Sequence, residues 1–172
     1  MEGIIVHDNI LTDEEIENYK VTLIRNCPFK YGEHDGPNTE PAGVVCDFTE
    51  HMKSGSILSP DLNYILNNLL IKIYENNKSL KNMNLFRIYL NLFLPNENPS
   101  FHTDGDNTIT CLYYLNPLFN LNEGGETQFL IDEEIKGVIS KPGRLAIFDG
   151  GLKHRATSFK TKPRLTMAFK FV

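Results

Sequence analysis

Apolar residues in the first half of the chain recur every three or four positions in two separate stretches. This spacing predicts two amphipathic helices. The first helix is expected to begin after Thr12, with Glu15 completing a capping box and Leu11 packing against Ile16 as a hydrophobic staple. Its predicted buried stripe consists of Ile16, Tyr19, Leu23 and Ile24.

The second helix is expected to begin at Ser59–Pro60, because proline is favoured in the first helical turn. Its predicted apolar stripe consists of Leu62, Ile65, Leu66, Leu69, Leu70 and Ile73. Between the two helices, the Lys30–Gly55 segment is rich in glycine, proline and charged residues. We predict a long loop or an irregular hairpin there, because segments of this kind are commonly functional or mobile.

The second half of the chain is dominated by β-branched and aromatic residues separated by turn-forming glycine, proline, asparagine and aspartate. This pattern predicts strands. The five predicted strands are Phe86–Leu94, Thr108–Leu115, Thr127–Ile131, Arg144–Asp149 and Arg164–Val172. Helices followed by a run of closely spaced antiparallel strands indicate an α+β fold whose strands form a sandwich or a small barrel.

Side chains alternate between the two faces of a strand, and the last predicted strand divides sharply into an apolar and a polar face. The apolar face carries Leu165, Met167, Phe169 and Phe171. The polar face carries Arg164, Thr166, Ala168 and Lys170. The first predicted strand divides in the same way, with Arg87, Tyr89 and Asn91 on its mixed face. We therefore expect the apolar faces to pack under the helices and the polar faces to line an interior that can hold a charged ligand.

The composition narrows the possible partners. The chain has 172 residues, 17 Lys and Arg against 22 Asp and Glu, and a net charge of −5. A basic cluster suited to phosphate backbones is missing from the sequence, which disfavours nucleic acid as a partner. The sequence also contains no apolar run long enough for a membrane span and no charged-then-apolar leader. We expect one domain over residues 1–172, with helical support and a substrate loop in 1–84 and the strand core in 85–172.

Three cysteines, Cys27, Cys46 and Cys111, form no CxxC pair. This argues against a disulfide framework or a zinc knuckle and predicts a reducing, cytoplasmic location.

His102 and Asp104 are spaced so that both side chains fall on one face of a strand end, and His154 follows another predicted strand. Two imidazoles and one carboxylate leave coordination positions open, as in non-haem Fe(II) oxygenases. The alternative is that these histidines are ordinary surface or core residues, and the spacing alone does not decide between the two.

Arg164 adds an independent signal. It lies on the polar face of the last predicted strand beside Thr166, and burying an unpaired guanidinium is costly. A small dicarboxylate that chelates a metal at one end and reaches Arg164 at the other would satisfy it, because the guanidinium binds a carboxylate through two parallel hydrogen bonds. The alternative is a surface arginine paired with a nearby glutamate.

Together these motifs resemble the Fe(II)/2-oxoglutarate-dependent dioxygenases, and within them the prolyl 4-hydroxylase-like group. The segments that carry the resemblance are Phe101–Asp104, Ile109–Asn116, Gly124–Thr127, Pro142–Arg144, Phe148–Asp149, His154–Arg155 and Arg164–Thr166. They span about half of the chain, from Leu85 to the C-terminus. The compact form, with Gly-Gly-Glu-Thr and a terminal Leu-Thr-Met-Ala-Phe-Lys, is similar to small members encoded by bacteriophages.

The resemblance implies a double-stranded β-helix, or jelly-roll, with the N-terminal helices packed on the outer face of the major sheet. It implies that the Fe(II) ligands are His102, Asp104 and His154. It implies that the 2-oxoglutarate carboxylate remote from the metal is held by Arg164, Tyr114 and, in an assisting role, Thr166. The cofactors would be Fe(II), 2-oxoglutarate as co-substrate and O2, with ascorbate as an additional reductant.

The implied activity is that of an oxidoreductase that hydroxylates a proline in a peptide or protein, in the host cytoplasm if the chain is phage-encoded. Two departures from the group concern the substrate. Collagen-type enzymes commonly have lysine where this chain has Arg164, and the tyrosine usual before the His-x-Asp motif is replaced by Tyr89 or Asn91. Candidate substrate-facing elements are Lys30–Gly55, Asn116–Gly125, His34, His51, Arg87 and Arg155.

Four other functions compete with this prediction. A nucleobase demethylase of the same superfamily would carry a second arginine near the end of the last strand, where this acidic chain has Lys170; an enzyme acting on a free small molecule remains a further alternative. A zinc hydrolase could use the same three ligands, but the sequence lacks a general-base glutamate beside a ligand. A non-catalytic barrel that binds a metal or an anion would have no need for the three ligands together with Arg164.

Overall fold

A computed structural model of the protein describes residues 3–33 and 40–172. The helices in this part of the chain are α1 (Asp13–Asn26), α2 (Phe48–Lys53) and α3 (Pro60–Asn76), with short 3-10 turns at Lys78–Asn82 and Leu121–Glu123. The strands are β1 (Ile4–His7), β2 (Lys30–Glu33), β3 (Ala42–Asp47), β4 (Leu85–Phe93), β5 (Ile109–Tyr114), β6 (Thr127–Ile131), β7 (Glu134–Val138), β8 (Leu145–Asp149), β9 (His154–Ala156) and β10 (Arg164–Phe171).

Both predicted helix starts are confirmed. The Thr12 hydroxyl accepts a hydrogen bond from the Glu15 N–H, and the Glu15 carboxylate accepts one from the Thr12 N–H, which completes the capping box. Ser59 caps α3 and Pro60 is its first residue. The prediction that Ile24 is buried is wrong, since 43% of it is exposed. It lies about 100° around α1 from buried Leu23, outside the face that packs on the protein.

The predicted strands are confirmed to within one residue at each end, and the described residues contain five strands beyond them. They are β1, β2, β3, β7 and β9. These strands have three to six residues each, and β2 and β7 carry charged or glycine residues, so the alternation of apolar and polar positions is weak. The Lys30–Gly55 segment is therefore not a long loop. Its hairpin alternative holds for β2 and β3, which pair antiparallel, and α2 follows them directly.

Strand β10 occupies the centre of the larger of two sheets. The order in this seven-stranded sheet is β1-β8-β5-β10-β4-β3-β2, and the smaller sheet has the order β7-β6-β9. The inner faces of the two sheets meet where the Phe129 ring of β6 packs against Phe148 of β8, with ring centroids 4.9 Å apart. Two antiparallel sheets stacked in this way form the predicted jelly-roll.

The helices cover the outer face of the larger sheet, as predicted from strand parity. The apolar side chains of β10 join one buried cluster with those of α1 and α3. This cluster includes Ile16, Tyr19, Leu23, Leu62, Leu69, Ile73, Leu165, Met167, Phe169 and Phe171. All eight residues of β10 are buried, so the polar side chains on its inner face are removed from water as well. In the described part of the chain, no helix combines the length and hydropathy that a membrane span requires.

Candidate active site

The polar inner face of the larger sheet borders a cavity of about 270 Å³ that runs between the two sheets. Its walls are formed by Arg87, Tyr89, Asn91, Phe93, Pro99, His102, Thr103, Asp104, Thr110, Leu112, Thr127, Phe148, His154, Ala156, Arg164, Thr166 and Lys170. The side chains predicted from parity to face inward on β4 and β10 therefore do so. The cavity also brings His154 together with His102 and Asp104, from which it is remote in sequence.

Backbone pairing holds the two histidines side by side. The His102 N–H donates to the His154 carbonyl at 2.9 Å, and the His154 N–H donates to the His102 carbonyl at 2.8 Å. Their ring centroids are 4.5 Å apart. Nδ1 of His102 lies 3.2 Å from the Ser100 carbonyl, and Nδ1 of His154 lies 2.7 Å from the Leu152 carbonyl. A carbonyl requires a donor, so each Nδ1 carries the proton and Nε2 presents its lone pair.

Both Nε2 atoms point toward the Asp104 carboxylate. His102 Nε2 is 3.7 Å from Oδ1, and His154 Nε2 is 3.6 Å from Oδ2. The three candidate ligand atoms lie within 4.8 Å of one another. This donor set of two imidazoles and one carboxylate on one side of a cavity fits a divalent transition metal with open coordination positions. No other group of three or more metal-binding side chains occurs in residues 3–33 and 40–172.

Asp104 is almost completely buried and is held at both oxygens. The Lys170 ammonium donates to Oδ1 at 2.7 Å, and the Thr110 hydroxyl donates to Oδ2 at 2.5 Å. Burial alone would raise the pKa of the Asp104 carboxyl, but the Lys170 charge and these hydrogen bonds outweigh it and lower that pKa below its ordinary value. Burial lowers the pKa of His154, so its imidazole is neutral at pH 7. Both groups are thus in the protonation state that a metal ligand requires.

A glycine after β8 permits the backbone to approach this site closely. The Asp104 N–H donates to the Gly150 carbonyl at 2.7 Å, and the Gly150 N–H donates to the Thr108 carbonyl at 2.8 Å. A Cβ atom at Gly150 would lie 2.0 Å from the Thr108 hydroxyl oxygen and 3.1 Å from the Asp104 Cβ. The Asp149-Gly150-Gly151 turn therefore leaves room for the segment between β4 and β5 that carries Asp104.

The opposite end of the cavity is built around Arg164, only 1% of which is exposed. Its guanidinium donates to the Gly125 carbonyl at 2.8 Å, to the Thr127 hydroxyl at 2.9 Å and to the Thr166 hydroxyl at 3.5 Å. All three acceptors are uncharged, and no acidic side chain in the described ranges forms an ion pair with Arg164. A buried cation that has only neutral partners and faces a cavity fits an anionic ligand.

The start of β10 is held in place by Asn116, whose role the sequence did not indicate. Its side-chain amide donates to the Pro163 carbonyl at 2.8 Å, and its side-chain oxygen accepts from the Leu165 N–H at 2.8 Å. These contacts flank Arg164 on both sides along the chain. The guanidinium is thereby directed by backbone contacts as well as by its own hydrogen bonds.

Tyr114 lies next to this end of the cavity but behind its wall. Its hydroxyl is 2.7 Å from the Thr127 hydroxyl, and burial raises its pKa. Thr127 lines the cavity and contacts both Tyr114 and Arg164. The sequence predicted Thr127 as the start of a strand after Gly-Gly-Glu, but its position beside Arg164 depends on how the two sheets face each other.

Three further cavity residues lie on β4. Asn91 faces Thr166 across the strand pair, and its Oδ1 atom is buried without a hydrogen-bond partner. Tyr89 lies beside Lys170, with the ammonium 4.8 Å from the ring centroid. Arg87 is held by Asp47, whose carboxylate accepts from Nε at 2.7 Å. The tyrosine and asparagine named in the sequence analysis as replacements thus both line the cavity.

The other predicted substrate-facing residues lie elsewhere. Arg155 does not line the cavity, because its guanidinium stacks on the Phe101 ring at 4.5 Å and donates to Gln128. His51 borders a separate, smaller cavity near Arg87. His34 lies outside the described residues. The Asn116–Gly125 segment exposes Leu118 and Leu121, and its role toward a substrate stays a prediction.

Comparisons with known proteins agree with this geometry. No protein-family model matches the chain, and no match is found among curated proteins. Solved structures do match. A prolyl hydroxylase from Trichoplax adhaerens, in complex with a peptide fragment of the hypoxia-inducible factor oxygen degradation domain, has a TM-score of 0.74 at 16% identity. The match covers 99% of this chain and 84% of that one.

Two more structures extend the similarity. The viral collagen prolyl hydroxylase from Paramecium bursaria Chlorella virus-1, in its 2-oxoglutarate complex, has a TM-score of 0.68 at 16% identity and matches over 99% of this chain and 96% of that one. A non-haem alpha-ketoglutarate-dependent epimerase from nogalamycin biosynthesis has a TM-score of 0.71 at 14% identity, over 99% and 77% of the two chains. The chain therefore has the double-stranded β-helix fold of prolyl 4-hydroxylases and related 2-oxoglutarate–Fe(II) oxygenases, which confirms the predicted fold.

The buried Asp104–Lys170 pair gives a prediction about the metal-free protein. Asp104→Asn removes the charge that balances Lys170, and breaking a buried ion pair on one side costs roughly 3 kcal/mol or more. We expect the free energy of unfolding, measured by urea denaturation in a chelator, to fall by about that amount. The double variant Asp104→Asn/Lys170→Met should recover part of the loss. Equal stability of wild type and Asp104→Asn would contradict this description of the pair.

Proposed function

We propose that the protein is an Fe(II)- and 2-oxoglutarate-dependent hydroxylase. The observation that carries the proposal is that one cavity joins two different half-sites. One half-site consists of His102, Asp104 and His154, and the other is the buried Arg164 with neutral partners only. A site that binds only a metal would not need Arg164. A site that binds only an anion would not need the two histidines and Asp104.

The chain's own residues have distinct tasks in this proposal. When bound, the Fe(II) would supply the activation of O2, which protein side chains do not provide. His102 and His154 would bind it through Nε2, with Nδ1 of each ring oriented by a backbone carbonyl. Asp104 would supply the third ligand. Lys170 and Thr110 hold its carboxylate in one orientation.

The other end of the cavity would hold the co-substrate. Arg164 is the proposed partner of the carboxylate of 2-oxoglutarate that is remote from the metal, and Thr166 beside it assists. Tyr114 is proposed to act on this carboxylate by way of Thr127, since its hydroxyl contacts Thr127 behind the cavity wall. Burial of these groups strengthens their electrostatic interactions, because water does not screen them.

The proposed substrate is a prolyl residue of a peptide or protein. The support comes from the fold neighbours that are named prolyl hydroxylases, one of them in complex with a peptide. An extended proline-containing segment loses little conformational entropy on binding, which suits a groove beside the metal end. Pro99, Thr103 and Arg87 line that end of the cavity.

The domain organisation and the cellular location of the enzyme are also part of what we propose. We infer a single domain over residues 1–172, because the larger sheet combines β1, β2 and β3 from the first half of the chain with four strands from the second. The buried, unpaired cysteines support the cytoplasm as its compartment. Ascorbate as an added reductant and origin from a bacteriophage remain part of the same proposal.

Turnover of the co-substrate tests the activity directly. Anaerobically purified protein supplied with Fe(II), O2 and 2-oxoglutarate should release succinate, and His154→Ala should abolish this release because a metal ligand is lost. His51→Ala is the matched control, since this histidine borders a different cavity and should leave turnover unchanged. Succinate release that continues in folded His154→Ala protein would contradict the proposed ligand set.

Arg164 gives a separate prediction about co-substrate affinity. Arg164→Ala should raise the 2-oxoglutarate concentration needed for half-maximal binding by at least about 30-fold, since truncating one partner of a buried charge pair costs roughly 2–5 kcal/mol. Calorimetric titration of the metal-loaded protein measures this change. Arg164→Lys should lose less, and Arg155→Ala, an arginine outside the cavity, should bind like wild type. An unchanged affinity in Arg164→Ala would show that the anion site lies elsewhere.

The prolyl substrate is tested by mass spectrometry of proline-rich peptides after turnover. We expect a gain of one oxygen on proline in the presence of wild-type protein and none with His154→Ala. If a broad set of peptides remains unmodified while a free amino acid or a nucleobase gains oxygen, the prolyl assignment is wrong and the oxygenase assignment stands.

A further inference from the structure

Lys170 is a second buried cation on the inner face of β10, and its side chain is only 8% exposed. Its ammonium lies 2.7 Å from Oδ1 of Asp104, which is one of the three candidate metal ligands. Two neighbours, Asp104 and the Tyr89 ring, contact it on the cavity side. The 2.7 Å contact between this ammonium and a carboxylate is a buried ion pair.

The sheet register explains how the carboxylate is held. Thr110 on β5 faces Lys170 on β10 directly, and the two side chains hold the two oxygens of Asp104 between them. One of these donors is neutral and the other is a cation. On the other side of β10, Arg87 faces Lys170, and its own charge is paired with Asp47.

A metal bound at this end of the cavity would be repelled by the Lys170 ammonium. The carboxylate of Asp104 already has a positive partner in Lys170 at 2.7 Å. A divalent cation on the same carboxylate would then lie within a few ångströms of an ammonium. Two like charges at such a separation repel even where the surroundings partly screen them, and the metal carries two charges. This repulsion outweighs the benefit of orienting one ligand, which is worth about 10–100-fold in metal affinity.

We propose that Lys170 is an internal counter-cation of the metal site, which takes the place of the metal when the site is empty and lowers the affinity for the metal when it fills. The inference rests on the proposed function, because it assumes that the metal binds at His102, Asp104 and His154. Without Lys170 the empty site would bury an uncompensated carboxylate, which is unfavourable. Lys170 therefore keeps the empty site folded, and the metal binds less tightly as a result.

Titration with Mn2+ tests this proposal without any turnover, because Mn2+ is a divalent ion of similar ligand preference that is stable in air. Lys170→Met keeps the length of the side chain and removes its charge, and a thioether is a poor ligand for Mn2+. We expect Mn2+ to bind Lys170→Met at least about tenfold more tightly than wild type in calorimetry. Lys170→Arg keeps the charge and should bind within about threefold of wild type.

Thr110→Val is the matched control for orientation without charge. It removes the neutral donor on the other oxygen of Asp104 and should weaken Mn2+ binding, because an oriented ligand is lost and no repulsion is relieved. Opposite signs for Lys170→Met and Thr110→Val are the signature of a counter-cation. The thermal midpoint offers a second readout. Metal-free Lys170→Met should melt below wild type, and saturating Mn2+ should narrow the difference.

Mn2+ binding to Lys170→Met that is equal to or weaker than binding to wild type would overturn the proposal and leave Lys170 an orienting residue only. If Lys170→Met does not fold, Lys170→Gln carries the same prediction, since it removes the charge and keeps a neutral donor. Absence of Mn2+ binding in the wild type and in both neutral variants would defeat the proposed function together with this inference. Wild-type binding without tightening in either neutral variant would defeat this inference alone.

Discussion

The burial of two cations on the inner face of the central strand β10 is the constraint on which the rest of the site depends. Arg164 and Lys170 belong to a strand whose eight residues are all removed from water. A charge in such a position is tolerated only when other groups compensate it. The two cations have different kinds of partner, and this difference gives the two ends of the cavity different chemistry.

At the Lys170 end, the compensation is internal. Asp104 supplies the opposite charge, and it stands beside two histidines whose rings are oriented by backbone carbonyls. At the Arg164 end, the guanidinium donates hydrogen bonds to a carbonyl and two hydroxyls and has no ion pair among the described residues, so that end suits a charge from outside the protein. A ligand that binds a metal at one end and offers a carboxylate at the other matches both. This is the physical reason why a metal and a dicarboxylate are proposed together.

Much of this arrangement could be predicted from the sequence, because period-two alternation identifies the faces of long strands. The alternation in β4 and β10 predicted correctly which side chains line the cavity and which pack under the helices. The capping residues Thr12 and Ser59 predicted the helix starts for an equally local reason.

The errors have a common physical origin in contacts that are remote along the chain. Strands β2 and β3 are short and lie in a glycine- and proline-rich segment, so their bounds are set by the pairing of β2 with β3 and of β3 with β4. Thr110, Thr127 and Asn116 acquire their roles from register and from the way the sheets face each other. Lys170 was placed on the correct face, but its partner lies 66 positions away along the chain, and only the folded structure brings the two together.

The central claim is that one cavity holds a metal at His102, Asp104 and His154 and a carboxylate at Arg164 at the same time. The most direct measurement is a crystal structure of the protein grown with Mn2+ and 2-oxoglutarate, with anomalous scattering used to locate the metal. We predict one anomalous peak within bonding distance of the two Nε2 atoms and one Asp104 oxygen, and a carboxylate in bidentate contact with Arg164. A peak at another site, or a dicarboxylate whose free end lies against Lys170 instead of Arg164, would contradict the account.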